Sequence, residues 1–453
     1  MDLSDKKMLR RVLNRLSSNL GITLDSNIKD QFFSGKNQDF LHYSKTERNE
    51  LKIPAIIKYM LGVESYLAQP SKDHYYDIIS AGRIIPITVA LEHALRVLKT
   101  RNVYGYEERV QKLLNETNYD KFESTMYELI VAAKYASKTK KGNVRFIKET
   151  HIKSPDIEAR IRRRDYLIEC KKPDRENNAS LQIKEAIRKK LEKTFGEFFS
   201  HRYSAVMELS IHTDPNSLDE NEILQAAIES YGHGNPILNK TFTLKVEKKE
   251  IRQSPYLDLY PAPGYFAKHF DYYPEGEWQG IIPVLDCTWS TPGWIDNVNS
   301  YVAVKWKITD EEQIWRIKRI GYALIFKGFE QLNQTGSNVI LHYWFETDRN
   351  IGSREKELRH LVETLFEKNI KYDWLVLNET SPSLSPLGRF DFVENAHYSR
   401  GMSSIIFKGL KMRIPVTNVF LFDEDTFQNE GPFGVGAPLI PIDLFYELEK
   451  FKK

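Results

Sequence analysis

Ser154-Pro155-Asp156-Ile157-Glu158-Ala159-Arg160-Ile161-Arg162-Arg163-Arg164-Asp165-Tyr166-Leu167-Ile168-Glu169-Cys170-Lys171-Lys172 holds two short runs in which apolar and polar residues alternate, with arginines between them. Such alternation marks half-buried β-strands, and a polar run between two of them marks a hairpin turn. With the turn around Arg163-Arg164, Ile157 is expected to face Cys170, Ala159 to face Ile168 and Ile161 to face Tyr166. One side of the hairpin is then wholly apolar and can pack on a helix. On the other side Asp156 is expected across from Lys171 and diagonal to Glu169, while Glu169 and Lys171 share a face because they are two residues apart.

Working outward, Phe122, Met126, Leu129, Ile130 and Ala133 form a helical stripe that breaks at Lys140-Lys141-Gly142-Asn143, and Val144 to Lys148 reads as a strand. After the hairpin come an amphipathic helix from Leu181 to Phe199 and a buried strand from Tyr203 to Ile211. Residues 1–120 read as a helical N-terminal region, 121–215 as a compact α/β core, and 216–453 as a C-terminal α/β domain for recognition, dimerisation or control. Within that last part strands are expected at 280–289, 301–308, 338–346 and 372–378, and helices at 310–332 and 353–368. The Pro-, Gly- and aromatic-rich stretch Ser254 to Gly280 and the glycine-rich Gly431 to Gly436 read as irregular connections.

Composition narrows the classes of function. The chain has 453 residues, and its only cysteines, Cys170 and Cys287, exclude a disulfide scaffold and paired-cysteine zinc modules. No apolar run approaches membrane-spanning length, and Met-Asp-Leu-Ser-Asp-Lys-Lys has no apolar signal core, so a cytoplasmic location is the expectation. The formal charge is +3, yet residues 134–193 carry 19 Lys and Arg against 9 Asp and Glu, a local +10 that leaves −7 elsewhere. Concentrated basic charge is the electrostatic footprint of a polyanion site.

Two carboxylates and an ammonium on one hairpin face suit phosphodiester hydrolysis. Mg²⁺ binds through one or two carboxylates and keeps several waters, and a nearby lysine steadies charge that develops on the phosphate. Asp156 and Glu169 are the expected ligands, and Lys171 the residue that orients water and stabilises charge.

Pro155-Asp156, followed thirteen positions later by Glu169-Cys170-Lys171, resembles the signature of PD-(D/E)XK, restriction-endonuclease-like nucleases. The resemblance covers 121–212 and implies a mixed sheet flanked by helices, Mg²⁺ or Mn²⁺ dependence, and cleavage of nucleic acid, DNA more than RNA. It also implies a further acid on the preceding helix, a place that Glu128 occupies, and a metal contact from the backbone carbonyl of Cys170. Some branches carry a glutamine in the helix after the Glu-X-Lys strand. Gln182 stands there, although Ala186 occupies the place of that motif's tyrosine. Lys172, Lys184, Arg188 and Lys189 are the expected phosphate contacts, and Cys170 itself is expected to be a small buried hydrophobe. By analogy the role is restriction or antiphage defence, with a homodimer or a regulatory partner. The alternatives are a non-catalytic nucleic-acid-binding or assembly subunit that keeps the fold, and a nuclease active only with a partner or ligand.

Overall fold

The computed structural model of the chain describes residues 3–26, 28, 53–67, 78–148, 154–161, 163–173, 178–250, 260–261, 279–291, 294–310, 313, 323–332, 338–346, 355–384, 390–400 and 439–441. Of the connection expected over 254–280, residues 260–261 and 279–280 are strand, and the rest, like Gly431 to Gly436, lies outside these residues. The fold is mixed α/β, and no described helix is long and apolar enough to cross a membrane.

The described residues of the N-terminal region form the helices α1 (Leu3–Leu20), α2 (Ala55–Leu67), α3 (Ile78–Arg101) and α4 (Tyr106–Asn115), and α5 (Tyr119–Lys138) follows. α5 starts where the side chain of Asn118 accepts hydrogen bonds from the amides of Asp120 and Lys121. It ends before the Gly142 turn, whose φ of 82° favours glycine.

The strands β1 (Val144–Phe146), β2 (Ile157–Ile161) and β3 (Arg164–Lys171) follow. They belong to a seven-stranded mixed sheet completed by β10 (Asn338–Glu346), β11 (Trp374–Leu384), β12 (Phe390–Arg400) and β13 (Leu439–Pro441), in the order β1-β2-β3-β10-β11-β12-β13. β10 runs parallel to both β3 and β11. Between β3 and β10 the chain builds a second sheet from β4 (Ala205–Ile211), β5 (Ile237–Leu238), β6 (Phe242–Lys248), β7 (Tyr260–Pro261), β8 (Gln279–Thr291) and β9 (Trp294–Ile308). The helices α6 (Asn178–Ser200) and α7 (Glu220–His233) share a core with that second sheet.

Two sequence expectations need correcting. The first sheet takes strands from both sides of residue 215, and β4, expected to close the 121–215 unit, lies in the second sheet beside β6 and β9. Local patterning marks a strand but carries no information on a neighbour well over a hundred residues away. The hairpin register is also two residues from the expected one: Ile157 faces Ile168, Ala159 faces Tyr166 and Ile161 faces Arg164, with Arg163 in the turn at φ 70°. A slip of two keeps every side chain on its own face, so the apolar pattern cannot choose between these registers. The observed one sets Arg160 opposite Asp165, where the guanidinium donates two hydrogen bonds of 2.6 and 3.0 Å to the carboxylate.

The two faces of the first sheet have separate cores. Ile157, Ala159, Tyr166, Ile168, Cys170, Ile340, Trp344 and Trp374 pack with α1 to α5. Leu167, Val339, Leu341, Tyr343, Leu375 and Leu377 pack with α9 (Glu355–Glu367) and with a helix over residues 323–332, termed α8. A parallel strand covered on both faces reads as a nearly continuous apolar run, as Val339-Ile340-Leu341 does.

Candidate active site

The hairpin register decides what meets at the end of β3. Its ladder to β2 ends at Ile168, and Asp156, the residue before β2, continues the pairing by donating its amide to the Ile168 carbonyl at 3.1 Å. Asp156 thus lies just beyond the last facing pair, Ile157 and Ile168, and is not set across from Lys171 as expected. The Asp156 carboxylate takes the place of a further ladder bond by accepting from the Cys170 amide at 2.8 Å. In a strand the amide and carbonyl of one residue point to the same edge, so the Cys170 carbonyl is turned toward Asp156 as well.

Glu169 and Lys171 leave the sheet on the α8 side. The Lys171 ammonium donates to the Glu169 carboxylate, which is 1% exposed, while the Lys171 side chain keeps 23% exposure. α8 adds Gln331, whose amide Nε2 donates to Glu169 Oε2 at 3.1 Å and to the Ser154 carbonyl. Gly328 allows this close approach, because a Cβ there would come within 2.8 Å of Leu341 and 3.4 Å of the Lys171 stem.

The electrostatics follow from burial. Glu169 is pushed up to about 8, first by loss of solvent and then by the charge of Asp156, against the pull of Lys171. Asp156 is also raised by burial, opposed by the Cys170 amide and by the charges of Lys171, Arg109 and Lys112. Burial works against the charged form of Lys171, yet Glu169 and Asp156 hold its ammonium above the ordinary lysine range. These are two crowded carboxylates short of positive charge.

Not every expected residue joins them. Glu128 lies on α5, behind the opposite face of the sheet, where its carboxylate is 3.2 Å from Arg109. That guanidinium also donates to the Ile147 carbonyl and lies over the Phe146 ring. Among the described residues no group of three or more His, Cys, Asp or Glu side chains is arranged to hold a metal, and Glu128 is paired with Arg109. Strand alternation sends Lys172 to the helical side. Its side chain is 2% exposed and its ammonium is 2.7 Å from Glu123, which removes it from the expected phosphate contacts.

Gln182, Arg188 and Lys189 are exposed on α6, which packs on the second sheet, and Arg188 pairs with Glu185 at 3.3 Å. The side chain of Lys184 lies outside the described part. Cys170 is buried as expected, and burial, then the neighbouring carboxylates of Asp156, Glu128 and Glu169, hold its thiol well above the ordinary range.

The glutamine that reaches the carboxylates is Gln331, which local reading misses. A signal for it exists. The apolar run of β10 marks a buried parallel strand, and a parallel neighbour needs a crossover whose last helix covers the sheet face. That helix carries Gln331.

Two carboxylates and a backbone carbonyl form an all-oxygen donor set suited to Mg²⁺ or Mn²⁺, and the raised Glu169 marks a place where added positive charge is favoured. No protein-family model matches the chain, and no curated protein or solved structure is detectably similar to it.

Proposed function

We propose that the chain is a metal-dependent nuclease of the PD-(D/E)XK, restriction-endonuclease-like class that hydrolyses phosphodiester bonds, in DNA rather than RNA. One observation carries the reading: Asp156 and Glu169 come from adjacent strands to one place, with the Lys171 ammonium on the same side of the sheet. The mixed sheet with helices on both faces supports the fold assignment.

Asp156, Glu169 and the Cys170 carbonyl would hold Mg²⁺ or Mn²⁺, which when bound supplies Lewis acidity and a water of lowered pKa. Lys171 is the cation on the exposed side of the pair, placed to stabilise charge on a phosphate. Gln331 fixes Glu169 by donating to one of its oxygens and ties the carboxylate to the Ser154 backbone.

The test is incubation of plasmid, linear DNA and RNA with Mg²⁺, Mn²⁺ or EDTA, comparing the wild type with Asp156→Asn and Lys171→Met. Cleavage is expected only with metal, and each variant should lose at least ~100-fold in rate. Cleavage in EDTA, or cleavage undiminished in both variants, rules the reading out.

A further inference from the structure

The nuclease reading leaves unused a buried cluster of charges behind the end of β3. Glu123 is 0% exposed and meets two cations, Arg83 and Lys172, each at 2.7 Å. Tyr59 donates its hydroxyl hydrogen to Glu123, and Arg83 donates to the Tyr59 oxygen at 2.8 Å. Arg83 also grips Glu346, the last residue of β10, through two hydrogen bonds. The Lys172 ammonium lies 5.1 Å from the centre of the Trp344 ring. α2, α3 and α5 are thereby tied to the carboxyl ends of two adjacent parallel strands.

Buried ion pairs add little net stability over apolar residues of the same size, because desolvation offsets most of their attraction. Their defensible use is to specify one geometry. The place where one is needed is visible in the ladder. β3 pairs with β2 only as far as Ile168, so Glu169, Cys170 and Lys171 are laddered on the β10 side alone. Lys172 follows directly, on the face opposite Lys171.

We propose that the Lys172–Glu123 pair is a positioning device: holding residue 172 in the helical layer fixes the rotation of the strand end and keeps Glu169 and Lys171 turned to the other face. This rests on the nuclease reading of that face. Lys172 is a positioning residue, because its buried ammonium cannot reach substrate.

The experiment compares the wild-type chain with Lys172→Met, Lys172→Arg and the double variant Glu123→Leu/Lys172→Met. The double variant replaces the buried pair with apolar bulk and guards against a single variant that fails to fold. Expected for Lys172→Met and for the double variant is a loss of kcat of at least ~10-fold with KM within about 2-fold, as for misplacement without lost contact. Lys172→Arg should recover most of the rate. In both impaired variants the amides of Cys170 and Lys171 should exchange hydrogen faster than in the wild type. Full kcat in the double variant, or a rise in KM with kcat intact, overturns the proposal. If the wild type cleaves nothing, the nuclease reading fails by itself, and amide exchange still decides the anchor: wild-type exchange rates at 170 and 171 in Lys172→Met refute it.

Discussion

Replacing Glu169 with Gln should make the protein more stable in alkaline solution although it removes an ion pair. The Glu169 carboxyl titrates near 4.5 when free and is pushed up to about 8 in the fold, by burial first and by Asp156 second. Between those values the folded protein keeps a proton that the unfolded chain releases. Stability attributable to this group is therefore intact below 4.5, falls as pH rises through the window, and levels off above 8. At 1.36 kcal/mol per pKa unit the full loss is on the order of 5 kcal/mol. That shift already includes the opposing pull of Lys171, so the lost ion pair calls for no further subtraction. Glu169→Gln, which stands in for the protonated acid, is therefore expected to be more stable than the wild type by about 4–5 kcal/mol at pH 8.5 and by only about 1 kcal/mol at pH 5.5. Urea unfolding in EDTA at both pH values, with unchanged m-values, measures this. Parallel pH dependences for the two proteins, or a less stable variant at pH 8.5, would refute the claim that the two acids are crowded and short of positive charge.

Mn²⁺ should raise the urea midpoint of the wild type at pH 8.5 and leave Asp156→Asn unmoved, as mass action on a site present only in the fold requires. Gln331→Ala should cost about 10-fold in cleavage rate with little change in melting temperature, because Gln331 is half-buried and its removal frees Glu169 without emptying a core. His342 is buried against the hydroxyl of Tyr135, and burial holds its pKa down at about 3. The unfolded chain therefore takes up the proton first, and stability from this group is lost as pH falls below 6.5. His342→Gln should flatten the decline in urea stability between pH 6.5 and 4.5 by about 2 kcal/mol. Arg163→Gly should stabilise the hairpin by about 1 kcal/mol in the same assay, since Arg163 sits at φ 70°.

Residue types at the candidate site are legible in the sequence and their arrangement is only half so. Alternation puts Glu169 and Lys171 on one face and Cys170 on the other, and the structure keeps that division. The pairing of Asp156 is a different matter, because registers two residues apart bury the same apolar side and are separated only by contacts such as Arg160 to Asp165. Glu128 and Glu123 illustrate a second limit. Both are buried on α5, and what distinguishes them is whether Arg109 or Lys172 faces them, which depends on tertiary structure. Alternation does not reveal β12 for a related reason. Phe390–Arg400 mixes apolar and polar residues on both faces, yet Glu394 and His397 are buried, His397 against Glu379 at 3.1 Å. Polar residues satisfied inside a core break the pattern on which strand reading depends.

The chain's connectivity explains why so little of the site is local. The second sheet is inserted between β3 and β10, adjacent strands of the first, so the chain leaves the sheet just after Lys171 and comes back through the helix that carries Gln331. Four separate parts of the chain then hold one strand end: Asp156 at the open edge, β10 at the laddered edge, Gln331 on one face and Glu123 behind the other. Each constraint bears on a different degree of freedom, namely strand extension, pairing, carboxylate orientation and rotation about the strand axis. A substitution at any of the four can therefore misplace Glu169 or Lys171 without touching either. Impaired cleavage with an unchanged KM is the shared signature to look for at Gln331 and Lys172, whereas removal of Asp156 also removes a proposed ligand and should abolish the Mn²⁺-dependent gain in stability.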